Sequence, residues 1–372
     1  STSGDIDGAA AEAKGKVLQK FSNVFKGALI NGPPSKIVAL AKNPKIQSIE
    51  LDGFVTKQNL YTNVVWGVDR IDQRNLPLDS KYDDLGNGGN TIPVYVVDTG
   101  IYAQHNEFTG RVAAGATSIN DGYGTFDCNG HGTHVAGSIA GTTFGVAKKA
   151  TLIPVRVLDC AGSGSFSGVI AGLDWIAQNH PSGVPGVVNM SLGGSASSSL
   201  DTAVNNLISQ GLSVVVAAGN SGADACNYSP ARVPGAITVA ATSSDDRRAN
   251  YSNYGSCVDL FAPGSSITSA WNSGPSGTAV ASGTSMSAPH VSGVLARLLY
   301  TNPSSTPFQA SNSIKQSATP NLVSNAGTNS PNLLLYFDIV FDSTSELVTS
   351  SPTTTKPSNS KKTTNPGKGN KP

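Results

Sequence analysis

Residues 91–100 read TIPVYVVDTG, an apolar run of strand length that ends in an aspartate, a threonine and a glycine. Three similar apolar runs follow: TLIPVRVLD at 151–159, GVVNMSL at 186–192 and GLSVVVAAGN at 211–220. Helical patterns alternate with them: HGTHVAGSIAG at 131–141, GVIAGLDWIAQN at 168–179 and SLDTAVNNLISQG at 199–211. This alternation predicts an α/β fold in which helices cover both faces of a mostly parallel sheet, with a ligand crevice at the carboxyl ends of the strands.

The bulk composition limits the classes of function. The chain has 372 residues, of which 13% are charged, and its formal net charge is +1. This balance gives no reason to expect nucleic acid or an anionic membrane as a partner. We also expect no membrane span, because no apolar run reaches the ~18 residues that a spanning helix needs. Low charge with much glycine, serine, threonine and asparagine is typical of a secreted protein rich in tight turns.

The four cysteines are Cys128, Cys160, Cys226 and Cys257. None lies in a C-x-x-C motif, which disfavours a zinc ribbon. Four cysteines allow three disulfide pairings, and we favour Cys128–Cys160 and Cys226–Cys257 because these partners are nearest in sequence. Each bridge would contribute about 3–4 kcal/mol of stability on the chain-entropy argument. The alternative is four buried free thiols, as in a cytosolic enzyme.

The chain divides into three parts. Residues 1–57 are typical of a small domain, with a strand pair in VLQKFSNVFKGALI, a short helix in PPSKIVALAKNP and a strand in IQSIEL. Residues 58–340 contain the strand–helix alternation. Residues 341–372 are almost all serine, threonine, proline, lysine and glycine, so we expect a disordered tail that cannot bury enough apolar surface to fold.

Two polar residues at element ends could face the crevice. Asp98 ends the first strand, where a carboxylate either faces the crevice or caps the next turn. His131 lies between two glycines and opens a helix, whereas His134 is one turn further on and is expected to point into the packing. A metal site on the two histidines is disfavoured, because their spacing is not H-x-x-x-H and no glutamate lies between them.

Ser285 precedes the apolar run HVSGVLARLLY and is surrounded by small residues in GTSMSAPH. At a helix N-terminus, unpaired N–H groups and the positive dipole end can stabilise an oxyanion formed when the serine attacks a carbonyl. A lone serine there is more often only an N-cap. The chain order Asp98, His131, Ser285, with each residue at an element end, favours a nucleophilic triad.

Three segments resemble the signature segments of the subtilisin superfamily: VVDTG at 96–100, NGHGTHVAG at 129–137 and GTSMSAPH at 283–290. Others resemble the proteinase K branch: GVAKKATLIPVRVLDCAGSGS at 145–165, GADACNYSPAR at 222–232 and NYGSCVDLFAPG at 253–264. The cysteine placement is most similar to that of aqualysin-like enzymes. The resemblance implies a subtilisin-like three-layer fold with a mostly parallel central sheet, preceded by a small α+β (ferredoxin-like) propeptide remnant.

The resemblance also implies a mechanism. Asp98 would orient His131, which would take the proton from Ser285, and an acyl-enzyme would form and be hydrolysed. Asn220 matches the family's side-chain oxyanion donor, although a turn residue after a strand has the same appearance. No cofactor is implied for catalysis itself.

The implied substrate site consists of two edge segments that sandwich an extended peptide, a pocket for the residue before the cut, and a second apolar subsite. No acidic residue lies in these segments, so we expect broad specificity with a preference for large apolar or aromatic residues before the cut. The edge segments are Gly162, Ser163, Gly164 and Ser191, Leu192, Gly193; the pocket is Ala217, Ala218, Gly219; the apolar subsite is Leu158, Phe166, Val169.

Two structural calcium sites are implied as well, since hard oxygen ligands suit this ion. One would use the backbone carbonyls of Pro234 and Ala236 with the Asp259 carboxylate. The other would use side chains of DRIDQRNLPLDSKY, namely Asp69, Asp72, Gln73 and Asp79. The alternative for this second set is a solvated polar segment in which Arg70 and Arg74 pair with the acids.

Residues 1–57 resemble the later half of a subtilisin-type propeptide, although the expected first strand is missing. This implies a zymogen that cuts itself near residues 57–61 and is inhibited by its own propeptide. We therefore expect a secreted, extracellular, monomeric serine endopeptidase that acts on proteins and peptides. Two other classes are a catalytically silent binding protein on this scaffold and a cell-wall-tethered protein whose function lies in the tail. The silent protein is disfavoured because the three triad residues and Asn220 are all present.

Overall fold

The computed structural model describes residues 3–23, 26–46, 48–49 and 60–337. The described residues up to 49 belong to one compact unit, and residues 60–337 belong to another. The tail predicted at 341–372 lies outside the described residues. No helix in the described part is long and apolar enough to cross a membrane.

The N-terminal unit combines two helices with a strand pair. Its elements are α1 (Ser3–Glu12), β1 (Lys16–Phe21), β2 (Gly27–Asn31), α2 (Pro34–Ala39) and a 3-10 turn (Leu40–Lys42). The strands pair antiparallel, and α2 starts at a proline, which suits the first turn of a helix. The helix α1 was not predicted. The strand predicted in IQSIEL is not formed at residues 46, 48 and 49, and its other residues lie outside the described ranges.

The large unit alternates strands and helices along residues 60–337. In chain order these are β3 (Leu60–Thr62), α3 (Trp66–Arg70), β4 (Lys81–Asp83), β5 (Pro93–Asp98), β6 (Ala116–Thr117), α4 (His131–Ala140), β7 (Thr151–Arg156), α5 (Phe166–Asn179), β8 (Val187–Met190), β9 (Gly194–Ser195), α6 (Ser198–Ser209), β10 (Ser213–Ala217), β11 (Tyr228–Ser229), β12 (Ile237–Thr242), β13 (Leu260–Pro263), β14 (Ile267–Ala270), β15 (Thr278–Ala281), α7 (Thr284–Thr301), α8 (Pro307–Ser317), β16 (Thr319–Pro320) and β17 (Leu333–Leu334). Short 3-10 turns lie at Asn106–Phe108 and Ala225–Asn227.

Nine of these strands form one sheet in the order β16-β17-β13-β12-β10-β8-β5-β7-β6. All neighbouring pairs in this sheet are parallel except β16 and β17. The predicted mostly parallel sheet is therefore confirmed. Because parallel strands end at the same edge, Asp98 at the end of β5 and Ala217 at the end of β10 lie on one side of the sheet.

Two apolar layers pack on the sheet, one on each face. The alternation along β5 separates them: Val94 and Val96 belong to one buried cluster, and Tyr95 and Val97 belong to the other. The first cluster contains the buried faces of α4 and α7, and the second contains those of α5 and α6. Helices therefore cover both faces of the sheet, which is the predicted three-layer arrangement. The central strands are apolar throughout because both of their faces are buried.

Candidate active site

The end of β5 and the start of α4 bring a carboxylate and an imidazole together. His131 Nδ1–H donates to Asp98 Oδ1, and the two atoms are 2.7 Å apart. The Asp98 side chain is fully buried, and the same oxygen accepts the Thr99 backbone N–H at 2.7 Å. The His131 side chain is 29% exposed and lines a cavity. Because the carboxylate accepts from Nδ1, Nε2 is the nitrogen left to accept a proton.

The charge of Asp98 changes the proton affinity of this ring. Burial lowers the pKa of His131, but the charge and the hydrogen bond of Asp98 outweigh it and raise the pKa above its ordinary value. Asp98 therefore stabilises the imidazolium, which is the form that a general base takes once it has accepted a proton.

The entry into α4 depends on Gly130. This residue has a φ of +113°, in the left-handed region that favours glycine. A Cβ there would collide with the ring of Trp271. The glycine thus allows both the turn before His131 and a close contact with Trp271.

Ser285 lies in the first turn of α7 and is held by Ser191, the residue after β8. The Ser285 hydroxyl donates to the Ser191 carbonyl at 3.1 Å, and the Ser191 hydroxyl donates to the Ser285 carbonyl at 2.8 Å. Pro289 lies inside the helix four residues further on and has no N–H, so the Ser285 carbonyl is free for this partner. Among the described residues, the Ser285 hydroxyl makes no hydrogen bond to His131.

Asn220 is oriented by the residue that precedes Ser285. Its Oδ1 accepts the backbone N–H of Thr284 at 2.8 Å and the Thr284 hydroxyl at 2.9 Å. The Thr284 hydroxyl in turn accepts the Gly219 backbone N–H at 3.0 Å. Since Oδ1 is the acceptor, the Asn220 NH₂ group is the end left to donate to a ligand.

Two cavities adjoin these residues and share Leu192 and Gly193. The larger, of about 510 Å³, is lined by His131 and by every residue predicted for the edge segments and the apolar subsite. The smaller, of about 250 Å³, is lined by Ser285, Asn220 and the predicted pocket residues 217–219. All residues that line the smaller cavity are uncharged.

Several residues of the site were not predicted. Tyr228 and Thr284 line the smaller cavity, and Asn129 lines the larger one. Thr284 could have been predicted from the sequence, because it directly precedes Ser285 and therefore lies at the same end of the helix. Tyr228 gave no signal, since its position depends on the antiparallel pairing of β11 with β9.

The cysteines form two disulfides, one of which lies beside the larger cavity. Cys128 is joined to Cys160 and Cys226 to Cys257, and no described cysteine is free. The first bridge links the residues before His131 to the loop that lines the larger cavity, and Asn129 Nδ2 donates to the Cys160 carbonyl at 3.0 Å.

The acidic residues of 69–79 lie close together around α3. Asp69 is buried and accepts the Ser80 N–H through Oδ2, but its Oδ1 is buried and has no hydrogen-bond partner among the described residues. Burial, and then the charges of Asp69 and Asp79, raise the pKa of Asp72 to about 7. Gln73 uses its side chain within the loop, donating to the Pro77 carbonyl at 2.9 Å.

The two arginines of this segment have other partners. Arg70 forms a two-pronged ion pair with Asp246, at 2.7 and 3.0 Å. The Arg74 guanidinium lies 4.0 Å from the centre of the Tyr336 ring. The alternative in which these arginines neutralise the local acids is therefore not what the structure contains.

The other predicted calcium set is occupied differently. Asp259 Oδ2 accepts the Thr238 N–H at 2.9 Å, and Oδ1 accepts from the Lys315 ammonium at 3.2 Å. A calcium ion held by Asp259 with the carbonyls of Pro234 and Ala236 would have to displace this ammonium. These residues thus fit the ion less well than the acids around α3.

Comparison with known proteins identifies the family. The profile of peptidase S8, the subtilase family, matches residues 89–340. The chain is 54% identical over 321 residues to the extracellular serine proteinase of Thermus sp. (strain Rt41A), covering 86% of this chain and 78% of that protein. It is 48% identical over 327 residues to alkaline serine exoprotease A of Vibrio alginolyticus, covering 86% and 60% respectively.

A solved structure agrees with these relatives. A cold adapted subtilisin-like serine proteinase matches with a TM-score of 0.71 and 52% identity, over 74% of this chain and 98% of that one. The resemblance to the subtilisin superfamily and the predicted α/β fold with a mostly parallel central sheet are thereby confirmed. The chain belongs to the subtilase family and is a serine endopeptidase of the subtilisin type.

Proposed function

We propose that this chain is a secreted endopeptidase that cleaves peptide bonds through Asp98, His131 and Ser285. The observation that carries the proposal is the 2.7 Å hydrogen bond between Asp98 and His131, at the edge of the sheet where α7 begins. An extracellular location is supported by the similarity to the extracellular serine proteinase of Thermus sp. and by the two disulfides, which persist in oxidising compartments.

The first step is attack by Ser285 on the scissile carbonyl. Its hydroxyl leaves the Ser191 carbonyl by rotation about the Cα–Cβ bond and passes its proton to His131 Nε2. Catalytic hydrogen bonds of this kind commonly form only when substrate is present. Asp98 stabilises the imidazolium that results, because it already accepts from the opposite ring nitrogen.

The tetrahedral intermediate carries its negative charge beside α7. The Ser285 backbone N–H and the Asn220 side-chain NH₂ group donate to this oxygen. The imidazolium then protonates the leaving amine, which leaves an acyl-enzyme on Ser285. Water, activated by His131, hydrolyses this ester and restores the free hydroxyl.

Substrate preference follows from the smaller cavity. Its uncharged lining and volume of about 250 Å³ suit an apolar or aromatic side chain before the cut. A Lys- or Arg-specific processing activity would require an acidic residue in this lining. The residues further from the cut bind in the larger cavity, where main-chain pairing gives affinity with little sequence demand.

The experiment is digestion of an unfolded protein and a peptide library by purified chain, with Ser285→Ala as the inactive control. We expect cuts after large apolar or aromatic residues, absent with the variant. Equal cutting by Ser285→Ala, or cuts confined to Lys and Arg, would refute the proposal. A protein without cutting activity that still bound peptides would instead support the silent binding protein.

The N-terminal unit is proposed as a propeptide remnant removed by the enzyme itself. The proposed cut at 57–61 falls mostly outside the described residues. Because the protein's own site makes the cut, Ser285→Ala should retain residues 1–57, whereas the active chain should begin within 58–62 on N-terminal sequencing. Loss of the N-terminal unit from both proteins would exclude self-processing.

We propose one calcium site at Asp69, Asp72 and Asp79, with Gln73 beside them. A divalent cation bound here would be coordinated by the unpartnered Asp69 Oδ1 and would relieve the mutual repulsion of the three carboxylates. EDTA should therefore lower the melting temperature, and added calcium should restore it. Asp72→Asn should remove this dependence, whereas Asp245→Asn, on an exposed turn, should keep it. A melting temperature indifferent to EDTA in the parent protein would refute the site.

A further inference from the structure

Asp127 is a buried carboxylate four residues before His131 that the mechanism above does not use. Its side chain is fully buried and accepts five hydrogen bonds. Oδ1 accepts from the Thr99 hydroxyl at 2.8 Å and from the backbone N–H groups of Asn129 and Gly130 at 2.9 and 2.8 Å. Oδ2 accepts from the Thr133 N–H at 2.8 Å and from the Thr133 hydroxyl at 2.6 Å. None of these five donors is a basic side chain.

These bonds define the start of the helix that carries His131. The N-cap residue of α4 is Gly130, which has no side chain to satisfy the free N–H groups of the first turn. Asp127 supplies the missing acceptor from outside the helix by binding the Thr133 N–H. A negative charge at this end also interacts favourably with the positive end of the helix dipole. Asp127 therefore fixes the first turn of α4 together with Asn129, whose Oδ1 accepts the His131 N–H at 3.1 Å.

The Asp127 carboxylate is also linked to Asp98, through Thr99. The Thr99 hydroxyl donates to Asp127 and accepts the Gly132 N–H at 2.8 Å. The Thr99 backbone N–H donates to Asp98 Oδ1. One residue thus connects the Asp98 carboxylate, the first turn of α4 and the Asp127 carboxylate.

We propose that Asp127 is a positioning residue of the reaction, which holds Asp98 and His131 in register through Thr99 and the first turn of α4. This inference rests on the proposed mechanism. Its removal should lower turnover more than it changes KM, because Asp127 lines neither cavity and reaches the larger one only through Thr99 and Asn129.

The charge of Asp127 provides a second readout. Three titratable groups influence or contact His131: Asp98, Asp127 and His134. Burial lowers the pKa of His131, and Asp98 and then Asp127 raise it. Replacement of Asp127 by a neutral residue should therefore shift the acid limb of kcat/KM to lower pH. A loss of folded protein alone would leave that limb where it is.

The test compares Asp127→Asn with Glu107→Gln. Glu107 is also a buried carboxylate that accepts backbone N–H groups, from Thr143 at 2.6 Å and Phe144 at 3.4 Å, but it lies outside both cavities. With active sites counted by a serine-directed phosphonate, Asp127→Asn should lose about 10- to 100-fold in kcat, as expected for a small misplacement of catalytic groups. Its acid limb should also move down. Glu107→Gln should lose stability and keep both kcat and the limb.

A second pair of variants carries the test if Asp127→Asn does not fold. Thr99→Val removes the hydroxyl link at nearly constant volume, and Thr99→Ser retains it. We expect Thr99→Val to lose turnover and Thr99→Ser to recover most of it. Unchanged kcat per titrated site in Asp127→Asn, or equal turnover in the two Thr99 variants, would overturn the proposal. Failure of the mechanism itself is distinguishable, because the parent protein would then not react with the phosphonate.

Discussion

Ser191 and Ser285 are joined by two reciprocal hydrogen bonds, each from the hydroxyl of one residue to the carbonyl of the other. Behind them, Asn189 Nδ2 donates to the Ser191 hydroxyl at 3.0 Å, and the Ser292 hydroxyl donates to Asn189 Oδ1 at 2.8 Å. Asn189 and Ser292 are fully buried. This polar chain ties the end of β8 to the first turns of α7, and it fixes where the proposed nucleophile stands.

Ser191→Ala should therefore lower both stability and turnover. The change leaves the Asn189 amide and the Ser285 carbonyl without partners, and each unpaired buried group costs about 1–3 kcal/mol. Ser138→Ala is the control, because Ser138 is a buried helix serine whose hydroxyl donates to the His134 carbonyl, away from both cavities. For Ser191→Ala, the free energy of unfolding measured with denaturant and kcat should both fall. If the two variants have equal kcat, the polar chain has no part in placing Ser285.

Asn220→Ala should lower kcat by about 100- to 1,000-fold, the usual effect of removing one oxyanion donor. KM should change little, because the donor acts on charge that develops only in the transition state. Thr284→Val provides an intermediate case, since it removes one of the two hydrogen bonds to Asn220 and keeps the backbone one. Steady-state kinetics on a peptide amide would measure this. A change confined to KM would argue that Asn220 only contacts bound peptide.

The two disulfides should differ in their effect on binding but not on chain entropy. Their sequence separations are 32 and 31 residues, so each should contribute about 3–4 kcal/mol. Cys128→Ser/Cys160→Ser should in addition raise KM for tetrapeptide substrates, because residues 161–166 line the larger cavity. A substrate that fills only the smaller cavity should be cleaved with unchanged KM. If both bridges cost equal stability and neither changes KM, the first bridge has no role in substrate binding.

Two buried histidines should make the fold sensitive to acid. His290 Nδ1–H donates to the Met286 carbonyl and His134 Nε2–H to the Ile267 carbonyl, and the second nitrogen of each ring is buried without a partner in the described structure. Burial lowers the pKa of each ring to about 4. As the pH falls from ~6.5 towards 4, these two histidines become protonated in the unfolded chain but stay neutral in the folded chain. The free energy of unfolding therefore falls.

The expected loss is on the order of 3 kcal/mol for each ring across this window, with no effect above pH ~6.5. Denaturant unfolding at several pH values measures it, in the Ser285→Ala background to prevent self-digestion. His290→Gln should flatten the pH dependence by removing one of the two rings. A slope between pH 7 and 4 that is the same in both proteins would contradict this account.

The layered sheet was predictable because its signal is local. On β5 consecutive residues face opposite apolar layers, so the run at 94–97 is apolar throughout, and a short window of sequence reports burial on both sides. The link between Pro289 and the Ser285 carbonyl also lies within five residues. A proline inside a helix leaves the carbonyl four residues earlier without its helical partner, so the sequence alone contains this signal.

Contacts between distant residues were not predictable from one sequence. Lys315 reaches Asp259 across 56 positions, and Arg70 reaches Asp246 across 176. Neither spacing carries information, because each contact depends on how α8 and α3 pack after the sheet has formed. This is why the carboxylates of the two predicted calcium sites have different partners in the structure.

The most direct test of the central claim is the mass of the intact protein after reaction with a serine-directed phosphonate, followed by mapping of the modified peptide. We predict one adduct per chain, on Ser285, none on Ser285→Ala, and far slower labelling of His131→Ala. An adduct on another serine, or labelling that proceeds equally without His131, would contradict the account.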